Sequence, residues 1–160
     1  MEIHTSPSAH AKFIDESTAE GHIRQLIENI SIAIEERDLE QIMAAYTSDA
    51  VIYDARDALE IDKEGLRKSW EECFQVTKDF RSEIDEVTVI AEGNLGFSHC
   101  LAHTTGTTTS GENVDNWIRL TDCYRLIDGD WKVIHEHVSM PGDFVTGKIL
   151  LDIKPSPTFS

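Results

Sequence analysis

The sequence predicts an α+β domain, a half-barrel in which a curved antiparallel sheet wraps around three N-terminal helices. Three observations carry this. Capped, amphipathic stretches with helical spacing fill the chain up to about Lys78. Everything after Phe80 has strand composition cut by turn signals. The order is helix, helix, strand, helix, then a meander of four strands, and such segregation marks α+β rather than alternating α/β units.

The elements follow in order. Residues 1–15 read as a flexible tail, and the domain as residues 16–141. "STAE" is a capping box in which Ser17 caps and Glu20 reaches back. Ile23, Leu26, Ile27, Ile30 and Ile34 form the buried stripe of a first helix ending near Arg37. "DLEQ" caps a second, with Leu39, Ile42, Met43 and Tyr46 inward, and "TSDA" closes it. "VIYD", Val51 to Asp54, is a short strand. A third helix starts at Asp62 and turns Leu66, Trp70, Cys73 and Phe74 inward. Strands are expected over Ile84 to Ala91, Phe97 to Thr108, Val114 to Ile127 and Trp131 to Pro141. They are separated by "EGNLG", "TTSGEN" and "DGD". Residues 142–160 read as a C-terminal arm.

At 160 residues with 40% hydrophobic content, the chain suits one domain with a real core. No apolar run reaches the roughly 20 residues of a spanning helix. "MEIHTSPSAHAKF" lacks the form of a signal peptide, so a cytoplasmic protein is expected. A net charge of -16 repels phosphate backbones and anionic membranes, which argues against nucleic-acid and membrane partners. Cys73, Cys100 and Cys123 are widely spaced and suggest neither a disulfide framework nor a zinc site. No phosphate loop or dinucleotide fingerprint is present, so no cofactor is implied.

The last strand, "WKVIHEHVSMP", raises the question of the site. Strict alternation places Trp131, Val133, His135, His137 and Ser139 on one face, and Lys132, Ile134, Glu136, Val138 and Met140 on the other. On the preceding strand, Trp117, Arg119 and Thr121 share a face, and Ile118, Leu120 and Asp122 share the opposite one. A two-residue Asp128-Gly129 loop would set Asp122 opposite His135. A turn with a Gly129 bulge would set Thr121 opposite His135 and Arg119 opposite His137. His99, His103, His135 and His137 offer imidazoles, but no carboxylate stands at ligand spacing to them, so no metal is expected.

The stretches "AAYTSDAVIYDA", "DNWIRLTDCYRLIDGDWKVIHEHVSMP" and "TGKILLDIKP" resemble the SnoaL-like, ketosteroid-isomerase-like branch of the nuclear transport factor 2-like superfamily. The resemblance covers roughly Ser17 to Pro155. It implies a cone-shaped fold, a homodimer formed through the outer sheet face, and a small-molecule ligand in the mouth of the cone. It also implies isomerase- or cyclase-type proton transfer on a carbonyl compound, or else a non-catalytic binding or assembly domain.

Asp54 falls where the isomerases carry their catalytic aspartate. A carboxylate in an apolar pocket is a usable base, although Asp54 can also cap a turn. Their first-helix tyrosine is replaced here by Ile30, and their late-strand aspartate corresponds to Asp122 or Thr121. The branch's pocket pattern favours the bulged turn. Trp117, Arg119, Thr121, His135, His137 and Ser139 are then expected to line the pocket, with Tyr46, Tyr53 and Trp70 also binding ligand and His137 joining Asp54 in catalysis. Arg119 would bind a ligand oxygen or pair with Asp54 or Glu136. Epoxide-hydrolase-like relatives use an Asp-Arg-Asp set, from which Thr121 at the carboxylate position departs.

Overall fold

The computed structural model describes residues 17–156; the expected tail over residues 1–15 lies outside them, and the arm is described as far as Ser156. The helices form where the capping residues start them. Helix α1 spans Ala19–Glu36, and its cap is Thr18, one residue later than expected, with Oγ1 accepting from the Gly21 N–H at 3.1 Å. Arg37 ends α1 in the left-handed region at φ 59°. Asp38 then caps α2 (Leu39–Ala44), accepting from the Gln41 N–H at 3.0 Å. Asp62 caps α3 (Lys63–Val76) in the same way through the Gly65 N–H.

Strand β1 runs Tyr46–Tyr53, so Tyr46 opens a strand instead of closing the stripe of α2. The meander follows as β2 (Arg81–Glu92), β3 (Leu95–Thr107), β4 (Asn113–Ile127) and β5 (Asp130–Ser139). These form one sheet in the order β1-β5-β4-β3-β2, with β1 parallel to β5 and all other pairs antiparallel. Irregularities between Asp85 and Thr88 and between Cys123 and Tyr124 break the ladders, and such bulges bend a sheet.

The β4–β5 hairpin decides which side chains face inward. Asp128 (φ 51°) and Gly129 (φ 89°) form a two-residue loop with Ile127 opposite Asp130. Tyr124 pairs with Val133, yet Cys123 pairs with His135, so Ile134 is an extra residue in β5. Neither expected register therefore holds along the whole hairpin. Because strand side chains alternate, one inserted residue exchanges the two faces of everything beyond it. Trp131 and Val133 are buried on the concave face, and after the bulge that face continues with Glu136 and Val138.

The concave face is covered by helices. The core gathers Ile23, Ile27 and Ile34 of α1, Ile42 and Met43 of α2, Leu66 of α3, and Ile52, Val89, Tyr124 and Val133 of the sheet. Helix α1 packs over β2 and comes so close to Gly96 of β3 that a Cβ there would lie 2.8 Å from Ile23 Cδ1. No helix among the described residues is long and apolar enough to cross a membrane.

Candidate functional site: a carboxylate pair under the helices

One row of register partners crosses the whole sheet on its concave side: Val89, Ser98, Asp122, Glu136 and Ile52. Its middle is polar. Tyr46 and Tyr124 reach it from the neighbouring part of the sheet. The Tyr46 hydroxyl donates to Glu136 Oε2 at 2.5 Å, and the Tyr124 hydroxyl donates to Asp122 Oδ2 at 3.1 Å. Ser98 Oγ lies 2.8 Å from the Tyr124 hydroxyl. Asp122 is buried, and its Oδ1 has no hydrogen-bond partner among the described residues.

Two adjacent carboxylates away from water cannot both hold charge cheaply. Burial, and then the nearby Glu136 charge, hold the Asp122 carboxyl well above the usual range, against the bond from Tyr124. Burial pushes Glu136 up to about 7; the Tyr46 hydrogen bond opposes this and the Asp54 charge adds to it. Burial also raises the Tyr46 phenol, so it stays a hydrogen-bond donor. The site therefore stores protons near neutral pH, as acid–base chemistry requires.

Two neighbouring compartments share part of their lining, Glu136 included. The inner one, about 100 Å³, is walled by Ile27, Ile30, Ile34, Ile84 and Leu120, with Tyr46, Asp122 and Glu136 as its polar end. The outer one, about 220 Å³, brings Asp54, Arg56 and Ser69 to the same space as Glu136. Trp70, Phe80, Ile118 and Val138 line both. Asp54 accepts from Ser69 Oγ at 3.0 Å and has Arg56 Nε at 3.8 Å.

The residues singled out in the sequence are thus divided. Tyr46 and Trp70 line the inner compartment, and Asp54 lines the outer one. Tyr53, His137 and Ser139 meet Asp54 in an open groove of about 670 Å³ outside the mouth, bounded by Leu59 and Ile149. Trp117, Arg119, Thr121 and His135 do not reach either compartment, contrary to expectation, because Ile118, Leu120 and Asp122 take the concave face of β4 and the Ile134 bulge turns His135 to the convex face. Thr121 pairs with His137 and Arg119 with Ser139 on the convex side. Arg119 and Thr121 line a separate convex groove with His99 and makes no link to the carboxylates; Arg119 has no ion pair among the described residues. His135 Nδ1 lies 2.7 Å from the Val51 carbonyl, with Tyr53 edge-on to its ring. Trp117 stacks on His103, whose Nε2 is 2.7 Å from Asp115 Oδ1.

Glu136 is the residue that alternation hid. A signal existed: Asp122 between Leu120 and Tyr124, and Glu136 two before Val138, are lone carboxylates on otherwise apolar faces.

The comparisons agree with this architecture. No curated protein matches the chain in sequence. A nuclear transport factor 2-like protein of unknown function from Pseudomonas putida is 38% identical, with a TM-score of 0.77 over 86% of this chain and 96% of that one. A Novosphingobium aromaticivorans protein provisionally named a scytalone dehydratase shares the fold at 12% identity and a TM-score of 0.68, over 73% of this chain and 80% of that one. A ketosteroid isomerase-like protein from Erwinia carotovora atroseptica shares it at 20% identity and a TM-score of 0.64, over 79% and 97%. The SnoaL-like domain model matches residues 23–143, which takes in every strand and helix that builds the carboxylate row except the first turn of α1, and the chain belongs to that family.

Proposed function

We propose that this protein is an acid–base enzyme that moves a proton on a small, uncharged carbonyl compound, in the manner of an isomerase or cyclase. One observation supports this above the others: the Asp122–Glu136 pair closes an apolar cavity whose other compartment holds Asp54. Asp54 acts as base. The unpartnered Asp122 Oδ1, held protonated by its burial, donates to the carbonyl oxygen as negative charge grows there. Ligands enter through the groove shared by Tyr53, Asp54, His137 and Ser139. The test is exchange of the α-protons of cyclohexanone in D₂O, followed by NMR. Exchange well above the buffer rate that Asp54→Asn removes supports the reading; exchange at the buffer rate sinks it.

The convex sheet face favours a homodimer. Ile90, Phe97 and Leu101 are exposed on its β2–β3 side and Val51 and Tyr53 on its β1 edge, and exposed apolar side chains of this kind suit burial against a partner. Light scattering should then give twice the 18.0 kDa chain mass, and a monomer at micromolar concentration would contradict it. An assembly domain without catalysis is the second reading, supported by the same face, and it predicts a dimer with no α-proton exchange.

A further inference from the structure

Asp54 and Glu136 come from neighbouring strands and both line the outer compartment. Ile52 is the register partner of Glu136, and Asp54 is two residues beyond Ile52. Strand spacing and rise put the Asp54 and Glu136 Cα atoms about 8 Å apart. Both side chains line the same space, which leaves room for one small molecule between them. Glu136 also lines the inner compartment, so of the three carboxylates only Glu136 touches both.

The two groups are held differently. Asp54 is fixed by Ser69 and Arg56 at the mouth. Glu136 has Oε2 engaged by Tyr46, and its Oε1 has no hydrogen bond from any described residue. No cation pairs with it among the described residues. In an isomerase cycle Asp54 removes the proton and returns it while Asp122 holds the oxygen, which leaves Glu136, a further proton-bearing carboxyl beside the substrate, without a part. It has a part in an elimination, where a leaving oxygen must be protonated as the base takes a proton elsewhere.

We propose, resting on the acid–base reading above, that Glu136 is the general acid to Asp54's base and that the reaction is loss of water from a small β-hydroxy carbonyl compound. Asp54 takes the proton from the carbon beside the carbonyl. The electron pair of that C–H bond becomes the new C=C bond. The bond from the β-carbon to its hydroxyl breaks, and its electron pair leaves with the oxygen. That oxygen takes the proton of Glu136 and departs as water. Asp54 ends protonated and Glu136 ionised, and one proton returned from Asp54 to Glu136 through the open mouth restores both. No oxidant or reductant is needed. Burial, which pushes Glu136 up to about 7, keeps it in the donor form at and below neutral pH. The compartments, about 100 and 220 Å³, sit at or below the low end of the roughly 300–1,000 Å³ typical of drug-sized sites, so the substrate is of monocyclic size.

The probe is 3-hydroxycyclohexanone, with α-proton exchange followed by NMR and cyclohexenone formation by ultraviolet absorbance. The wild type should do both. Glu136→Gln should lower elimination on the order of 10²- to 10⁴-fold, at least tenfold more than it lowers exchange. Asp54→Asn should lose both. A protonated-carboxyl infrared band lost in Glu136→Gln supplies a readout without substrate. Should that variant fail to fold, Glu136→Asp keeps the acid but shortens its reach, and elimination should fall by tenfold or more, and by more than exchange does. Elimination at the wild-type rate in a folded Glu136 variant overturns the proposal. A wild type that exchanges but does not eliminate overturns it while the broader reading stands. A wild type that does neither overturns both.

Discussion

The hydroxyl of Tyr46, the first residue of β1, donates to Glu136 Oε2 on β5 at 2.5 Å. A hydrogen bond to the ionised form lowers a carboxyl pKa, and here it opposes the larger effect of burial. Tyr46→Phe removes the donor and little else. Glu136 should then titrate above its present value of about 7, and the pH at which infrared or NMR reports its ionisation should move up. The freed Oε2 should cost about 1–3 kcal/mol in denaturant unfolding. A midpoint that stays or falls would remove Tyr46 from the site's electrostatics.

The same buried carboxyl makes stability depend on pH. Glu136 goes from 4.5 in an unfolded reference to about 7 in the fold. A raised carboxyl binds its proton more tightly when folded, so its contribution is fully present below pH 4.5 and is lost as pH rises toward about 7. The loss is on the order of 3 kcal/mol for this group alone, from 1.36 kcal/mol per unit. Glu136→Gln keeps an acceptor for Tyr46 and cannot ionise. Urea unfolding at pH 5 and pH 8 should therefore show a smaller loss of stability in the variant than in the wild type. Equal losses would mean that Asp122, not Glu136, carries the pH dependence.

The convex placement of the hairpin's other face gives a prediction opposite to the one its sequence suggests. Arg119 and Thr121 lie in a groove with His99 and do not line either compartment. Arg119→Ala and Thr121→Ala should leave cyclohexanone exchange within about twofold, a size typical of surface changes. Loss of exchange from either variant, with the dimer intact, would return that face to the site.

How far the sequence was legible follows from which physical signals are local. Caps and apolar periods are local, so the three helices and the four-strand meander could be read to within a few residues at their ends, with α1 capped at Thr18 rather than Ser17, whereas β1 begins at Tyr46 and not at Val51. Asp54 was legible through the family resemblance and Trp70 through the helical period of α3, while Tyr46, expected in the stripe of α2, lines the cavity from β1, whose ladder is irregular between Tyr46 and Val51. The hairpin could not be read this way. Nothing in "WKVIHEHV" marks Ile134 as the extra residue, because the bulge is fixed by the need to bury both Trp131 with Val133 and, further on, Val138. That is a tertiary requirement, and a period-two pattern with one missed insertion inverts every later assignment. Deleting Ile134 tests it directly. The deletion would force either Val133 or Val138 and Glu136 to the wrong side of the sheet. A loss of more than about 4 kcal/mol is expected, or no folding at all. A stable deletion variant with unchanged cyclohexanone exchange would show that the bulge does not set the face.

Helix α1 depends on Gly96 for its distance from the sheet, and its Ile27, Ile30 and Ile34 wall the inner compartment. An alanine Cβ at position 96 would sit 2.8 Å from Ile23 Cδ1 and 3.1 Å from the Ile90 carbonyl oxygen. The first contact is with the end of a side chain, so it can be relieved; the second is with backbone. Gly96→Ala alone should cost about 1–3 kcal/mol by overpacking. Ile23→Val alone should cost about 0.5–1.5 kcal/mol, since it removes one buried methyl group. Combined, they should cost less than the two added together, with a coupling of about 0.5–3 kcal/mol in chemical unfolding. The two single variants should also differ in the cavity. Overpacking lifts α1 and exposes the Asp122–Glu136 pair to water, which lowers the burial that raises both carboxyls. Glu136 in Gly96→Ala should titrate below about 7, and Ile23→Val added to it should bring the midpoint back. Strict additivity of the two substitutions, with no change in the Glu136 midpoint, would show that α1 does not rest on this contact.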